Sequence, residues 1–338
     1  MQLFTDDEDR SGMPELSIVV PFFNEQENVR ALYRRLSLVL PGTVADYELV
    51  FVNDGSRDAT AEILDELHAT DARVTVIHLS RNFGHQPAIT AGILNARGQG
   101  VAIMDGDLQD PPEVLPQFIE AWRQGHDVVY AVRTKRKEHL LKRVAYSAFY
   151  RLLAFVSDID IPIDSGDFCV MDRKVVATLN DLPERTRFVR GLRTFVGYRQ
   201  IGLEYERDAR AAGRPKYTFR ALMRLAIDGL ISFSTYPLRL AVYTGFATAL
   251  LAALLTMWVL LDAVDKHSAP RGWASTLAIM MFMGSTQLVS LGIIGEYISR
   301  IFVESKQRPA FIIARLQRRA TQPKSPTRSM ADAGVSVR

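Results

Sequence analysis

Residues 101–113 read "VAIMDGDLQDPPE". Four carboxylates, Asp105, Asp107, Asp110 and Glu113, crowd behind the apolar run Val101, Ala102, Ile103 and Met104. Asp105 and Asp107 are two residues apart, and at a strand end that spacing points both side chains to one face. Carboxylates so close repel unless a cation sits between them. Oxygen ligands alone suit Mg2+ or Mn2+ rather than zinc, and such ions commonly bridge phosphates. By frequency an isolated Asp-x-Asp is a solvated turn. Here it follows an apolar strand and faces other polar strand ends, so a metal site is expected. Asp110 and Glu113 are read apart from it, as the start of the next helix, whose N-terminus favours acids.

The elements that must position these acids alternate. Strands are expected over 16–23, 47–54, 74–80, 100–104 and 127–133, and helices over 25–40, 58–69, 86–97 and 112–124. Asn24 is the expected N-cap of the first helix. Strands alternating with helices imply a mostly parallel sheet covered on both faces. In such sheets ligands bind beyond the carboxyl ends of the strands. Three of those ends are polar: Asn24-Glu25, Asn53-Asp54-Gly55-Ser56 and Asp105-Gly106-Asp107. After residue 134 the pattern loosens. A basic segment at 133–143 leads into a helix to about Val156, a short strand falls within 164–174, and 198–220 reads as a strand followed by a Gly- and Arg-rich loop.

The chain has 338 residues, 48% of them hydrophobic and 23% charged, which predicts a largely folded protein. Net charge is only +3, but Arg and Lys crowd the last third, beside the most apolar segments. Such patches attract anions, either nucleic acid or anionic lipid. One cysteine, Cys169, allows neither an intramolecular disulfide nor a cysteine metal cluster. The acidic start, "MQLFTDDEDRSG", has no apolar core and is not expected to act as a signal peptide. Residues 240–261 and 273–295 carry no charge. A bilayer core needs about 20 apolar residues, so these are read as two membrane spans rather than buried core helices. Basic residues flank the pair on both outer sides, while the loop between holds only Lys266 and Arg271 as firm positives. The positive-inside rule then places both termini in the cytoplasm. Residues 218–235 alternate Arg220 and Arg224 with aliphatic residues, the pattern of a helix lying on the membrane surface.

No Gly-x-Gly-x-x-Gly follows the first strand, and the chain has no Gly-Lys-Ser/Thr loop. A dinucleotide oxidoreductase and a P-loop ATPase are therefore not expected. A phosphorylated ligand would be held by metal, backbone and basic residues, for which Arg133, Arg193, Arg210 and Lys216 are candidates. The ordinary alternative for each is a solvated surface position.

The stretches "VVPFFNEQENV", "VFVNDGSRDAT", "SRNFGHQPAITAGI", "MDGDLQDPPE" and "DFCVMDRK" resemble family 2 glycosyltransferases of the GT-A fold. The nearest likeness is to the polyprenyl-phosphate branch, with its bactoprenol glucosyltransferases and dolichol-phosphate mannose synthases. "GRPKYTFRALMRLAIDGLISFSTYPLR" and "LGIIGEYISRIFVESKQRP" extend the match, the latter typical of two-span bacterial members. The resemblance runs from about Leu16 to Pro309.

It implies an α/β GT-A nucleotide-sugar-binding domain at 14–217, an interfacial amphipathic helix at 218–237 and spans at 238–262 and 273–296. A juxtamembrane basic segment at 297–319 and disordered ends at 1–13 and 320–338 complete the expected organisation. Pro21, Asn24 and Glu25 would lie along the base and ribose, with Asp54 also facing the nucleotide. Asp105 and Asp107 would hold Mg2+ or Mn2+, Asp107 as main ligand and Gln109 joining them. Arg133 would contact phosphate, Asp167 would be the active-site acid, and Arg210, Lys216 and Arg193 would receive the lipid phosphate. Pro215 stands where many relatives have Ser, which puts one phosphate contact in question.

The implied reaction is inverting transfer from a nucleotide sugar, best UDP-glucose, to a polyprenyl monophosphate at the cytoplasmic face of a bacterial inner membrane. An anionic acceptor needs no strong general base. Expected partners are the bilayer, a second copy of the chain, a flippase and a downstream glycosyltransferase. No nucleic acid is expected, since no aromatic platform accompanies the basic residues. A processive polysaccharide synthase would bring a Gln-x-x-Arg-Trp segment and more spans, and neither is present. A non-catalytic nucleotide-sugar binder would have lost a metal carboxylate or basic residue, and all are here.

Overall fold

The computed structural model describes residues 12–133, 165–185, 187–206, 236–266 and 272–319. Eight strands form one sheet: β1 (Leu16–Phe22), β2 (Tyr47–Asn53), β3 (Val74–Leu79), β4 (Gly100–Ile103), β5 (Val128–Arg133), β6 (Ser165–Asp172), β7 (Gln200–Tyr205) and β8 (Ile313–Gln317). Their order is β7-β5-β6-β4-β1-β2-β3-β8. β1 pairs in parallel with β2 and β4, β2 with β3, and β5 with β7. β6 runs antiparallel between β4 and β5, and β8 runs antiparallel along β3.

Both faces of the sheet are covered, which is why β1 to β4 are buried along their whole length rather than alternating. Leu16, Ile18, Val20 and Phe22 pack under α1 (Gln26–Val39), α2 (Thr60–Thr70) and α4 (Leu115–Arg123) through Leu32, Leu36, Leu64 and Phe118. Val19, Val50, Val52 and Ile77 face the other way. They meet Ala88 and Ile89 of α3 (His85–Asn95), Val175 and Val176 of α5 (Arg173–Asp181), and Leu192 of α6 (Val189–Phe195). Each fully buried aliphatic or aromatic side chain stabilises by roughly 1.5–3 kcal/mol over exposure. Phe118 also stacks on Phe168 at 5.0 Å between centroids, so Phe118→Ala removes a ring contact as well as filled volume. Gly92 sets the approach of α3 to the sheet: a Cβ there would lie 2.2 Å from Val19 Cγ1.

The expected strands and helices are present, with three local differences. The first helix starts at Gln26 with Glu25 at the N-cap position; the Glu25 side chain does not cap it, and Asp58 Oδ2 accepts the Gln26 N–H at 3.3 Å. Asn24 instead adopts φ 53°, and its carboxamide oxygen accepts the Arg57 N–H. The helix expected over 112–124 begins as a 3-10 turn, Pro112–Val114, because Pro111 and Pro112 cannot both enter a regular first turn. The short strand within 164–174 is eight residues long and sits inside the sheet.

Two long helices follow, α7 (Tyr236–Lys266, 31 residues) and α8 (Trp273–Ser305, 33 residues). Ile279–Ser305 is long and apolar enough to cross a membrane, and none of its most apolar stretch is covered by the protein. A core helix of a soluble protein would be covered. Ala241–Leu254 is a shorter apolar stretch of α7. Within 297–319, expected as a basic juxtamembrane segment, α8 continues to Ser305 and the chain returns to the sheet as β8. The basic side chains there clamp the domain. Arg315 pairs with Asp65, Arg318 donates to Asn95 O, and Arg319 donates to Ala69 O. The expected interfacial helix, Arg210, Lys216, the helix to Val156 and the terminal tail lie outside the described residues.

Candidate active site

The loops after β1 and β2 are joined across the sheet top by backbone amides. Asn24 N–H donates to Ser56 Oγ (3.0 Å), Glu25 N–H to Thr60 Oγ1 (3.0 Å), and Ser56 N–H to Asn53 Oδ1 (3.0 Å). Glu25 accepts from Asn28 Nδ2 at 2.6 Å. The result is a fixed polar rim. Pro21 lies in β1 opposite Val52, beyond Val19↔Ile103, the last β1–β4 pair, so its missing N–H breaks no bond on that side.

Asp54, expected against the nucleotide, turns its carboxylate to the loop after β3. It accepts Phe83 N–H (2.7 Å), Gly84 N–H (2.9 Å) and Asn82 Nδ2 (3.0 Å). It is buried, and burial raises its pKa; the two amides and His85 oppose that without cancelling it. Two free N–H groups in a tight loop need an acceptor, and the carboxylate supplies it.

That loop delivers His85 to the acids. His85 Nε2 lies 3.3 Å from Asp167 Oδ2 on β6 and 3.5 Å from Asp105 Oδ1 after β4. Gln86 Nε2 donates to Asp167 Oδ2 at 3.1 Å, and Arg190 Nη2 on α6 is 3.5 Å from Asp167 Oδ1. The antiparallel course of β6, with Cys169 opposite Ile103, carries Asp167 up beside Asp105. Burial works to raise the Asp167 pKa, but the His85 hydrogen bond and the charges of Arg190, His85 and Arg193 hold it well below the usual carboxylate range. For His85, burial lowers the pKa; the Asp167 hydrogen bond and the charges of Asp105, Asp167 and Asp107 outweigh it and raise it.

Asp105 is pushed up to about 6, by burial first and then by Asp110, Asp167 and Asp107, with His85 opposing. Asp107 is nearly buried and accepts Gln109 N–H at 3.2 Å. Gly106 between them has no room for a side chain: a Cβ would lie 2.6 Å from the Phe22 ring. Leu108 next takes φ 61°, a left-handed conformation rare for leucine and of the kind found at functional sites. Asp110 does not open a helix as expected. It is buried and accepts from the Tyr205 hydroxyl of β7, while Glu113 pairs with Arg35 of α1.

This excess of buried negative charge on oxygen donors suits a hard divalent cation held by Asp105 and Asp107. Among the described residues no three His, Cys, Asp or Glu side chains are grouped to hold a metal alone. Remaining positions would fall to water or a bound phosphate.

The structure therefore brings Asp105, Asp107 and Asp167 together, with Asn24 and Glu25 on the adjoining rim. Arg193 differs from expectation. It is 1% exposed, with its guanidinium over the Tyr130 ring at 5.0 Å, so it supports Asp167 from within and presents no surface to a lipid phosphate. Arg133 ends β5, and its side chain lies outside the described residues. His85, Gln86 and Arg190 are not among the sequence-derived candidates. The polar run after β3 marks a fourth strand end at the same edge and could have located the first two; nothing in the sequence around Arg190 sets it apart. A hollow lined by Glu15, Trp122, Arg123 and Asp172 lies at the opposite end of the strands.

Residues 17–179 match the family described as Glycosyl transferase family 2, and residues 236–301 match the GtrB C-terminal hairpin. An uncharacterized glycosyltransferase, YkcC, of Bacillus subtilis (strain 168) is 47% identical over 300 residues, covering 88% of this chain and 93% of its own. A prophage bactoprenol glucosyl transferase homolog of Escherichia coli (strain K12) is 39% identical, covering 90% of this chain and 100% of its own. The bactoprenol glucosyl transferase of Shigella phage SfV is 40% identical, covering 88% and 98%.

Proposed function

The chain belongs to glycosyltransferase family 2, as a polyprenyl-phosphate glycosyltransferase with a GtrB-type hairpin over 236–301, and on that premise we propose that it moves glucose from UDP-glucose to a bactoprenol-type monophosphate with inversion at C1. The observation that carries this reading is the route of the chain after the apolar helices. β8 enters the sheet with Ile313 opposite Leu79, at the carboxyl end of β3. The hairpin is thereby tied to the edge of the sheet that bears the acids, where a lipid head group and a soluble donor would have to meet.

Asn24, Glu25 and Pro21 form the rim for base and ribose, and Asp54 fixes the loop that presents His85. Asp105 and Asp107, joined by Gln109, would hold Mg2+ or Mn2+ against the donor diphosphate. When bound, that ion compensates charge on the departing nucleoside diphosphate. Arg133 assists at the phosphate, and Arg210 with Lys216 receives the lipid phosphate. Asp167 is no general base: held far below its ordinary pKa, it would take up a proton poorly, and a phosphate acceptor has little need of one. Its role is to orient the sugar and steady positive character at C1. Attack opposite the leaving group turns an α-linked donor into a β-linked lipid phosphate sugar.

We place the catalytic domain (14–217) and both termini on the cytoplasmic side of a bacterial inner membrane, with the interfacial helix at 218–237 and spans at 238–262 and 273–296. A flippase and a downstream glycosyltransferase would then consume the product. Gly284, Gly292 and Gly295 have open space around them, which supports close packing against a second copy. Incubation of the purified protein with polyprenyl phosphate and a panel of radiolabelled nucleotide sugars tests the reading. A labelled lipid is expected from UDP-glucose, lost in EDTA and restored by Mg2+ or Mn2+. Absence of a labelled lipid from every donor would overturn the acceptor class, and a product made only from another donor would overturn the sugar.

A further inference from the structure

The last turn of α8 carries Glu304, an acid at the end of a helix where the backbone dipole disfavours negative charge. Its placement is explained by what it holds. The backbone N–H of Arg185 donates to both carboxylate oxygens, Oε1 and Oε2, at 3.2 Å each. Arg185 lies in the segment between α5 and α6, 119 residues away in sequence.

That segment is built to pass on a displacement. The Arg187 guanidinium donates to the carbonyls of Leu182 (2.7 Å), Glu184 (3.2 Å) and Asn180 (3.3 Å), which staples it to the end of α5. It then enters α6, whose Val189 and Leu192 are buried in the core. Val189 N–H donates to Gln86 Oε1 at 2.9 Å, and the other end of the same carboxamide donates to Asp167. One residue further, Arg190 faces Asp167. Hydrogen bonds thus link the end of the second apolar helix to the active-site acid, the Arg187 guanidinium bridging back to the carbonyl of Glu184 beside Arg185.

We propose that Glu304 is a positioning residue, which docks the end of the membrane hairpin on the 182–189 segment and so sets Gln86 and Arg190 against Asp167. This rests on the transferase reading for its kinetic consequence, but the docking can be tested without substrate. Hydrogen–deuterium exchange on the full-length protein in lipid nanodiscs should show residues 185–192 exchanging at least several-fold faster in Glu304→Ala, with β1 and β2 unchanged. In the transfer assay Glu304→Ala should lower kcat about tenfold, the effect of losing one well-placed hydrogen bond. The dissociation constant for UDP should stay the same, because the bonds of the Asn24–Ser56 rim involve neither Glu304 nor the 182–185 segment. Glu304→Gln, whose carboxamide oxygen still accepts the Arg185 N–H, should recover most of both properties. If Glu304→Ala does not fold, Glu304→Asp, which withdraws the carboxylate by one methylene, is read in the same way.

Unchanged exchange at 185–192, or a Gln variant as impaired as Ala, would overturn the proposal. If the wild-type protein transfers no sugar, the function is wrong and the exchange measurement alone decides the docking.

Discussion

Asp167 faces His85 at 3.3 Å and Arg190 at 3.5 Å, with the charge of Arg193 also acting on it. Its charge balances theirs. Asp167→Asn should cut kcat/KM by at least about 100-fold with the circular dichroism spectrum intact, since three cationic side chains then lack their common partner. Asp107→Ala should do the same by removing a proposed metal ligand; near-wild-type turnover in either variant would contradict the site. Asp105 gives a pH test of opposite sign to that of an ordinary carboxylate. Its folded pKa is raised to about 6 from an unfolded value near 4. Its stabilising contribution is therefore complete below about pH 4 and lost as pH rises through about 6. In EDTA at pH 7.5, Asp105→Asn should melt about 2–4 °C above wild type, and the gap should close by pH 4. Added Mn2+ should raise the wild type only. A variant that melts below wild type at pH 7.5 in EDTA would show that Asp105 is not under this strain.

At the level of elements, the loop after β3 depends on Asp54. Asp54→Ala leaves the Phe83 and Gly84 amides without their acceptor, while Asn82 keeps only its bond to the Asp54 carbonyl, at a cost of about 2–3 kcal/mol. Faster amide exchange over 82–86 and a raised KM for the donor are expected. An unchanged loop would mean that other groups hold it. The central elements were legible because their causes are local. β1 to β4 are buried runs bounded by polar ends, and a sheet covered on both faces demands that pattern. α5 was not read from the sequence although its signals are as local: Asp172 caps it through Lys174 N–H, and Val175, Val176 and Leu179 follow at helical spacing. β8 was not legible. It is five residues long, carries Arg315, and lies on a sheet edge, where charge is ordinary and periodicity is weak. Arg193 was misread for a similar reason, since an arginine buried over an aromatic ring leaves no mark in sequence that separates it from a surface one. The acid pair was legible through its spacing, but His85 arrives by tertiary placement of a loop.

Over the whole molecule, β8 closes the β3 edge of the sheet with a strand that lies beyond both apolar helices. Truncation after Ser305 should expose the β3 edge, lower the melting temperature by several degrees and promote aggregation, measured by light scattering during a thermal ramp. Arg315→Ala should do far less, below about 1 kcal/mol, because Arg315 is half exposed and its ion pair with Asp65 is screened. Equal damage from both would shift the weight from backbone pairing to the side chain. The same connectivity imposes an order on biosynthesis. While the ribosome is still making residues 236–305, the edge of β3 has no partner, because the strand that will cover it has not been made. Both long helices are therefore made before the sheet of the enzyme domain is whole. Any chain that stops short of residue 313 carries the β3 edge open, a template on which other strands can pair.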